Sequence, residues 1–241
     1  MNGALHVERR GPLWLGEFED GFGFVSYARL DGTSAEESAA LVASAVAWFH
    51  ERPHLTEVEI KTRTHDDAAG LDDALLAAGF VVGEMESVMV GPASGLIDAP
   101  APEGVELRQA ITEEEMFAAA RMEDSVFESS MADRIVPELL RRQAEGDPVQ
   151  LWAAHVEGKV VSAGRIDPIP GTAFAGIWGG ATLPEYRGRG IYRALTAARV
   201  RAVMGSGVEL VHSDSTEDSR PILERSGLHR ITGTTPYVLS R

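Results

Sequence analysis

The chain has 241 residues, no cysteine, 44% apolar and 24% charged residues and a formal net charge of −15, the composition of a globular protein with length for one large or two small domains. The lack of cysteine excludes a disulfide framework, a thiol nucleophile and thiolate metal sites, and the acidity disfavours non-specific binding to nucleic acid or anionic membrane. No apolar run reaches the ~18 residues of a membrane span and the N-terminus shows no leader-like apolar stretch, so the expectation is a cytoplasmic protein.

In chain order, Gly23–Leu30 reads as a strand, and Ser34–Glu51 as a helix opened by a Ser34/Glu37 capping box. Leu55–Thr62 alternates as a strand, Asp66–Ala78 reads as a helix stopped by Gly79, and Val81–Val90 as a strand or bent strand pair. The proline- and glycine-rich stretch 91–103 reads as a linker between a domain at 1–90 and a second at 104–241. After it come a strand at Val105–Gln109, a helix capped by Thr112 and Glu115 that runs to Phe127, and a helix at Asp133–Ala144 with Pro137 near its first turn. Val149–Val156 and Lys159–Asp167 form a hairpin turned at Glu157-Gly158. Ala173–Leu183 is a strand, Gly190–Met204 a helix, Val208–His212 a strand, Asp218–Ser226 a helix and His229–Leu239 a closing strand or strand pair.

Two blocks repeat. Val58–Thr62, a helix and Gly79-Phe80 parallel Val208–His212, a helix and Gly227-Leu228. This pattern suggests a degenerate N-terminal copy of the second half.

The chemistry concentrates in Ala181–Leu195, where a strand runs through a loop holding Gly188 and Gly190 into a helix. Glycines let a ligand approach the backbone, and a helix start offers unpaired N–H groups at its positive dipole end, a setting suited to phosphate or pyrophosphate. Arg187, Arg189, Arg193, Arg199 and Arg201 reverse the local sign of charge in an acidic protein. The third glycine of a dinucleotide fingerprint is missing and no P-loop sequence is present.

Arg187-Gly188-Arg189-Gly190-Ile191-Tyr192, preceded by Leu183-Pro184-Glu185-Tyr186 and followed by Ser219–Leu228, resembles the cofactor motif of the GNAT superfamily of acyl-CoA-dependent N-acyltransferases. Tyr192 departs from the small residue usual at that place. The resemblance spans 104–241 and implies an α/β fold: a mixed, mostly antiparallel twisted sheet flanked by helices, in two related halves.

The same resemblance implies that acetyl-CoA is the co-substrate, with the amides of Arg187, Gly188, Arg189, Gly190, Ile191, Tyr192 and Arg193 on its pyrophosphate. Ala181, Thr182 and Leu183 would border the pantetheine where their strand splays from the next, and an N–H near Thr182 or Leu183 would polarise the thioester. The acceptor would be a small-molecule or protein amine that attacks directly, without an enzyme nucleophile.

Leu223 occupies the place where the family often has an acidic tyrosine. Ser219, Ser215 and Tyr237 are then neighbourhood candidates for the acid, Asp214 and Glu128 for the base; an ordered water chain serves equally well. His155 and His212 read as strand histidines with structural roles.

In the first half the corresponding turn, Leu30–Glu37, carries Asp31, Glu36 and Glu37, which would repel pyrophosphate; that half is expected to be structural or to shape the acceptor pocket. Trp14, Trp48, Trp152 and Trp178 read as core or pocket-wall packing. Asp66, Asp67, Asp72 and Asp73 read as solvated, and no His or carboxylate spacing completes a metal site. Two other readings stay open, a non-catalytic acyl-CoA-sensing module and a binder of another phosphorylated ligand. Oligomeric state is not legible.

Overall fold

A computed structural model describes residues 3–241. The chain forms two compact units, one taking the chain up to Ser87 together with Thr232–Arg241, the other Val88–Ile231. These bounds correct the expected division at 91–103. Gly91 and Pro92 end a strand, Ala93, Leu96 and Ala99 are buried, and the Ala93 N–H donates to the Glu209 carbonyl at 2.8 Å. The apolar residues between the prolines give this stretch a surface to bury, so it packs as part of the second unit.

The first unit holds β1 (His6–Arg10), β2 (Leu13–Glu17), β3 (Phe22–Tyr27), α1 (Ala35–His50), β4 (Glu57–Arg63), α2 (Leu71–Ala77) and β5 (Val81–Val82), with most of β12 (His229–Ser240). Its sheet runs β1-β2-β3-β4-β12, with β5 also on β12. Pairing is antiparallel except between β3 and β4. The Ser34/Glu37 capping box is present, and Val42, Ala45, Trp48 and Phe49 of α1 pack on Leu13, Leu15, Val25, Val58 and Ile60.

One element of this unit went unforeseen and three expectations need correction. The β1–β2 hairpin escaped notice because β1 is largely polar. Trp14 in β2 is 42% exposed and lies under Arg9 instead of in the core. Helix α2 starts only at Leu71, after Gly70 at φ 65°, and Asp66 is a buried acceptor, taking the Tyr27 hydroxyl at 2.5 Å and the Arg63 N–H at 2.8 Å.

The second unit holds β6 (Glu86–Pro92) from Val88 onward, β7 (Val105–Ala110), α3 (Glu113–Phe127), α4 (Ala132–Ala144), β8 (Gln150–Val156), β9 (Lys159–Pro168), β10 (Phe174–Thr182), α5 (Ile191–Met204), β11 (Leu210–Ser215) and α6 (Arg220–Arg225). Its order is β6-β11-β10-β9-β8-β7, with β7 to β10 antiparallel and β10 parallel to β11. Glu157 and Gly158, both at positive φ, make the β8–β9 turn. Pro137 lies inside α4, past the first turn. Helices α3 and α4 cover Ala153, Ala163 and Ala181 on one face of the sheet. On the other face Ile191 of α5 packs with Ala154 and Val161. Ala153 and Ala154, adjacent in β8, point to opposite faces, which separates the two layers.

The repeat is visible in topology: β3–α1–β4–α2 and β10–α5–β11–α6 share their order, and each strand pair is parallel. The final strands are exchanged. β12 pairs with β4 from Thr234 opposite Arg63 to Ser240 opposite Glu57, while β6 neighbours β11.

Two substitutions test these contacts. Tyr237 in β12 is 4% exposed in the first unit's core, so Tyr237→Ala is expected to cost about 3 kcal/mol in urea unfolding and to speed amide exchange in β4 more than in β9. Arg142 of α4, 4% exposed, binds Asp147 and Asp167 of β9 at 2.7–3.2 Å; Arg142→Ala strands those carboxylates and is expected to cost about 3–5 kcal/mol by the same measurement.

Candidate active site

In β10 the register onto β9 shifts between Trp178, opposite Arg165, and Ala181, opposite Ala163, so that Gly179 and Gly180 face the single Gly164. This bulge bends the strand and interrupts its ladder. Parallel pairing of β10 with β11 covers only Phe174–Gly176 against Leu210–His212, leaving a fork beyond. The Trp178 ring folds back over Gly176, where a Cβ would lie 2.4 Å from its Nε1, and meets His212 edge-on at 5.2 Å between centroids. His212 is half-buried; burial holds its imidazole below the usual range, against Asp214 and Asp167.

The backbone past the bulge has a defined direction. Leu183 N–H donates to the Val161 carbonyl of β9 at 2.9 Å, which removes it as an oxyanion donor. Alternation along the strand then turns the Thr182 amide away from β9, toward the fork. The Arg187 Nε donates to the Thr182 carbonyl at 3.1 Å. Ser162 donates to the Ala181 carbonyl at 2.6 Å and pairs with the Thr182 hydroxyl at 2.9 Å. Ala181 and Thr182 side chains are buried, so these residues offer a ligand their backbone alone.

Beyond a short 3-10 turn at Pro184–Tyr186, the loop exposes Arg187, Gly188, Arg189 and Gly190. Gly188 and Gly190 have φ of 72° and 79°, and a Cβ on Gly188 would meet nothing within 4 Å. Helix α5 has no side-chain cap, and the first backbone bond into it is Ala194 N–H to the Gly190 carbonyl. The Arg187 N–H is spent on the Pro184 carbonyl at 3.2 Å and so is not the phosphate donor expected of it, whereas the amides from Gly188 to Arg193 have no backbone partner at the positive end of the helix, a fit for a diphosphate. Arg189 lies over the Tyr186 ring, and Arg193 is exposed on the first turn. Tyr192 leaves the loop uncrowded because its ring turns inward against Gly180, where a Cβ would lie 2.7 Å away.

Two arginines expected to favour phosphate do other work. Arg201 donates to the Ile97 carbonyl. Arg199 is 1% exposed and donates to the carbonyls of Arg165 at 2.9 Å and Trp178 at 3.4 Å and to the Thr196 hydroxyl at 2.9 Å. Gly164 is required there, since a Cβ would sit 2.2 Å from the guanidinium. Arg199 thus fastens the two strands across the bulge.

The acid and base candidates scatter. Leu223 is 1% exposed in an apolar cluster with Val200, Val203 and Leu228. Ser219 turns its hydroxyl to Thr216 at the exposed start of α6. Ser215 is buried with no partner for its hydroxyl. Tyr237 belongs to the first unit's core, where burial and Asp72 push its phenol up to about 12. Glu128 is exposed at the end of α3 with φ 53°, and Asp214 is half-buried in β11. His155 is buried at β8 beside Arg108, which with burial lowers its imidazole.

A residue not singled out from the sequence stands at the bulge. Glu123 of α3 is 5% exposed, and both its carboxylate oxygens lie about 3 Å from where a Gly179 Cβ would be, at 2.9 and 3.0 Å. Its Oε1 has no hydrogen-bond partner. Burial pushes its acid up to about 7, against Arg165 and Arg199. The signal was in the helix pattern: Met116, Ala119, Ala120 and Glu123 share one apolar stripe, and a carboxylate has no ordinary place there.

The corresponding fork in the first unit is closed. Past the β3–β4 register a parallel bridge joins Thr33 to Ala68, Gly32 N–H donates to Asp67, and Ala69 N–H to Thr33. Arg63 lies over the Tyr27 ring at 4.5 Å and donates to the Tyr27 carbonyl at 2.7 Å.

Residues 106–227 match the family model described as Acetyltransferase (GNAT) family, while no curated protein matches the chain. Among solved structures, the GCN5-related N-acetyltransferase from Kribbella flavida is 15% identical, with 97% of this chain and 88% of that one covered at a TM-score of 0.70. A functionally unknown conserved protein from Staphylococcus epidermidis is 12% identical, with 99% and 94% covered and a TM-score of 0.74. A tandem GNAT protein from the clavulanic acid biosynthesis pathway is 17% identical, with 96% and 81% covered and a TM-score of 0.63. Those likenesses concern the fold. The family match takes in the fork, the bulge and the glycine loop together, and the chain belongs to the acetyltransferase (GNAT) family.

Proposed function

We propose that the second unit transfers an acetyl group from acetyl-CoA to an amine by direct attack within a ternary complex. The observation that carries this reading is the run of unpaired amides from Gly188 to Arg193 beside the open end of the β10–β11 fork. Acetyl-CoA, when bound, supplies the activated thioester. The exposed amides and Arg193 would hold its diphosphate, and the Thr182 amide is aimed to polarise a carbonyl in the fork. Trp178 and His212 border the base of the fork and would exclude water from the reacting end. The first unit, with its fork bridged and its helix capped by Ser34, would have a structural role.

A small-molecule amine and a protein amine are equally compatible acceptors, and the chain's acidity favours a cationic one. Leu223 supports a second reading, acyl-CoA sensing without turnover, because its apolar burial leaves no acid at that place for the departing thiolate.

Calorimetry on Gly190→Asp tests the binding site. A carboxylate at the helix start repels the diphosphate, so acetyl-CoA affinity is expected to fall at least about tenfold while the circular dichroism spectrum is kept. Unchanged affinity would falsify the placement. Thiol release with any amine ends the sensing reading.

A further inference from the structure

We infer that Glu123 is the catalytic base of the second unit, taking the proton from the ammonium of the acceptor at the Gly179–Gly180 bulge. The inference rests on the acetyl-transfer reading above and assigns to Glu123 the role for which Asp214 and Glu128 were the expected candidates.

The geometry singles it out. Glu123 projects from the buried stripe of α3 onto the one point where β10 bulges, and a side chain on Gly179 would collide with both its oxygens. A carboxylate at 5% exposure with an oxygen lacking any partner is costly unless a donor arrives. An incoming ammonium is such a donor, with three N–H groups to offer.

The charged groups around Glu123 are few. Arg165 from β9 and Arg199 from α5 favour its ionised form, and Asp124 on α3 disfavours it. On the neighbouring elements, Arg108 of β7 is engaged with Glu115 and His155, and Arg142 of α4 with Glu138, Asp147 and Asp167. At the bulge β10 presents glycine. Burial outweighs the two arginines, and an acid held near 7 is poised both to accept and to release a proton at neutral pH.

In the step itself Glu123 takes one proton from the ammonium. The nitrogen lone pair so freed forms the C–N bond as the thioester C–S bond breaks. The sulfur leaves with that bond's electron pair and takes the nitrogen's second proton, and Glu123 returns its own to solvent.

The test compares wild type, Glu123→Gln and Glu123→Asp on the full chain. Acetyl-CoA affinity is measured by calorimetry, and thiol release is followed from pH 5 to 9 with butylamine, phenethylamine, lysine amide, spermidine and water alone. Wild-type turnover is expected to rise through about pH 7. Glu123→Gln is expected to keep acetyl-CoA affinity within about threefold, to lose at least about 100-fold in kcat and to lose that limb; Glu123→Asp regains part of the rate.

Two readouts need no acyl donor. Infrared difference spectra should show a carboxyl that titrates near 7 in the wild type and is missing in Glu123→Gln. Because the folded acid binds its proton more tightly than the unfolded one, Tm should fall between about pH 5 and 8 in the wild type relative to Glu123→Gln.

Equal turnover and pH profile in wild type and Glu123→Gln, or a Glu123 carboxyl that titrates in the ordinary range, overturns the assignment. A wild type that binds acetyl-CoA but releases no thiol with any acceptor overturns the transfer reading and the base together. That result is distinct from failure of the base alone, in which both proteins turn over alike.

Discussion

Arg199 is taken almost wholly out of water, and an arginine so placed costs several kcal/mol unless its N–H groups find acceptors. Its acceptors are the carbonyls of Arg165 and Trp178, the last facing pair before the bulge, and the Thr196 hydroxyl one turn back on its own helix, while its Nε has none. A bulge leaves backbone carbonyls without ladder partners, and a buried guanidinium needs carbonyls, so each defect relieves the other. The consequence is mechanical. The contact fixes α5 to β9 and β10, and with α5 it fixes the direction of the loop from Arg187 to Gly190. Gly164 follows from it, since a side chain there would strike Arg199; Gly179 and Gly180 answer to Glu123 and Tyr192.

The two halves show how little separates an open fork from a closed one. Both have a strand, a helix and a parallel strand in the same order. In the first half the turn before the helix donates to and accepts from the 67–69 segment, a Ser34/Glu37 box satisfies the helix start, and Arg63 covers Tyr27. Every group that could meet an anion already has an internal partner or a negative neighbour. In the second half the helix start follows Gly190, which has no side chain to cap it, and the amides remain exposed. The two halves differ in which backbone donors are left unsatisfied, on scaffolds of one topology.

Much of this was legible in the chain because it depends on local chemistry. Capping boxes at Ser34 and Thr112, the Glu157-Gly158 turn and the glycines at 188 and 190 each specify backbone geometry within a few residues, and the fold respects them. What escaped depends on partners far apart in sequence. The bulge needs Gly164, Gly179 and Arg199 at once, and Asp66 is buried only because Tyr27 and Arg63 converge on it. Arg199 read as a charge for phosphate because its helix face is decided by tertiary packing, and β12 read as the end of the second half because nothing local says which sheet a last strand joins.

Glu123 sits at the meeting point of these constraints. A leucine or methionine would suit its place in the α3 stripe, beside Met116 and Ala119, without any demand for partners. Holding a carboxyl near 7 instead of 4.5 amounts to about 3 kcal/mol of lost stability once the pH exceeds both values. Arg165 and Arg199 offset part of this but not the whole, because burial outweighs their attraction. The dry surroundings that make the carboxylate costly to fold also make it a strong proton acceptor, and an ammonium at the bulge would relieve the desolvation by supplying the missing hydrogen bond. If Glu123 is the base we infer, stability surrendered in the empty protein would in this way be recovered in part by the acceptor, and the affinity for a charged amine would be tied to the proton affinity of the group that discharges it.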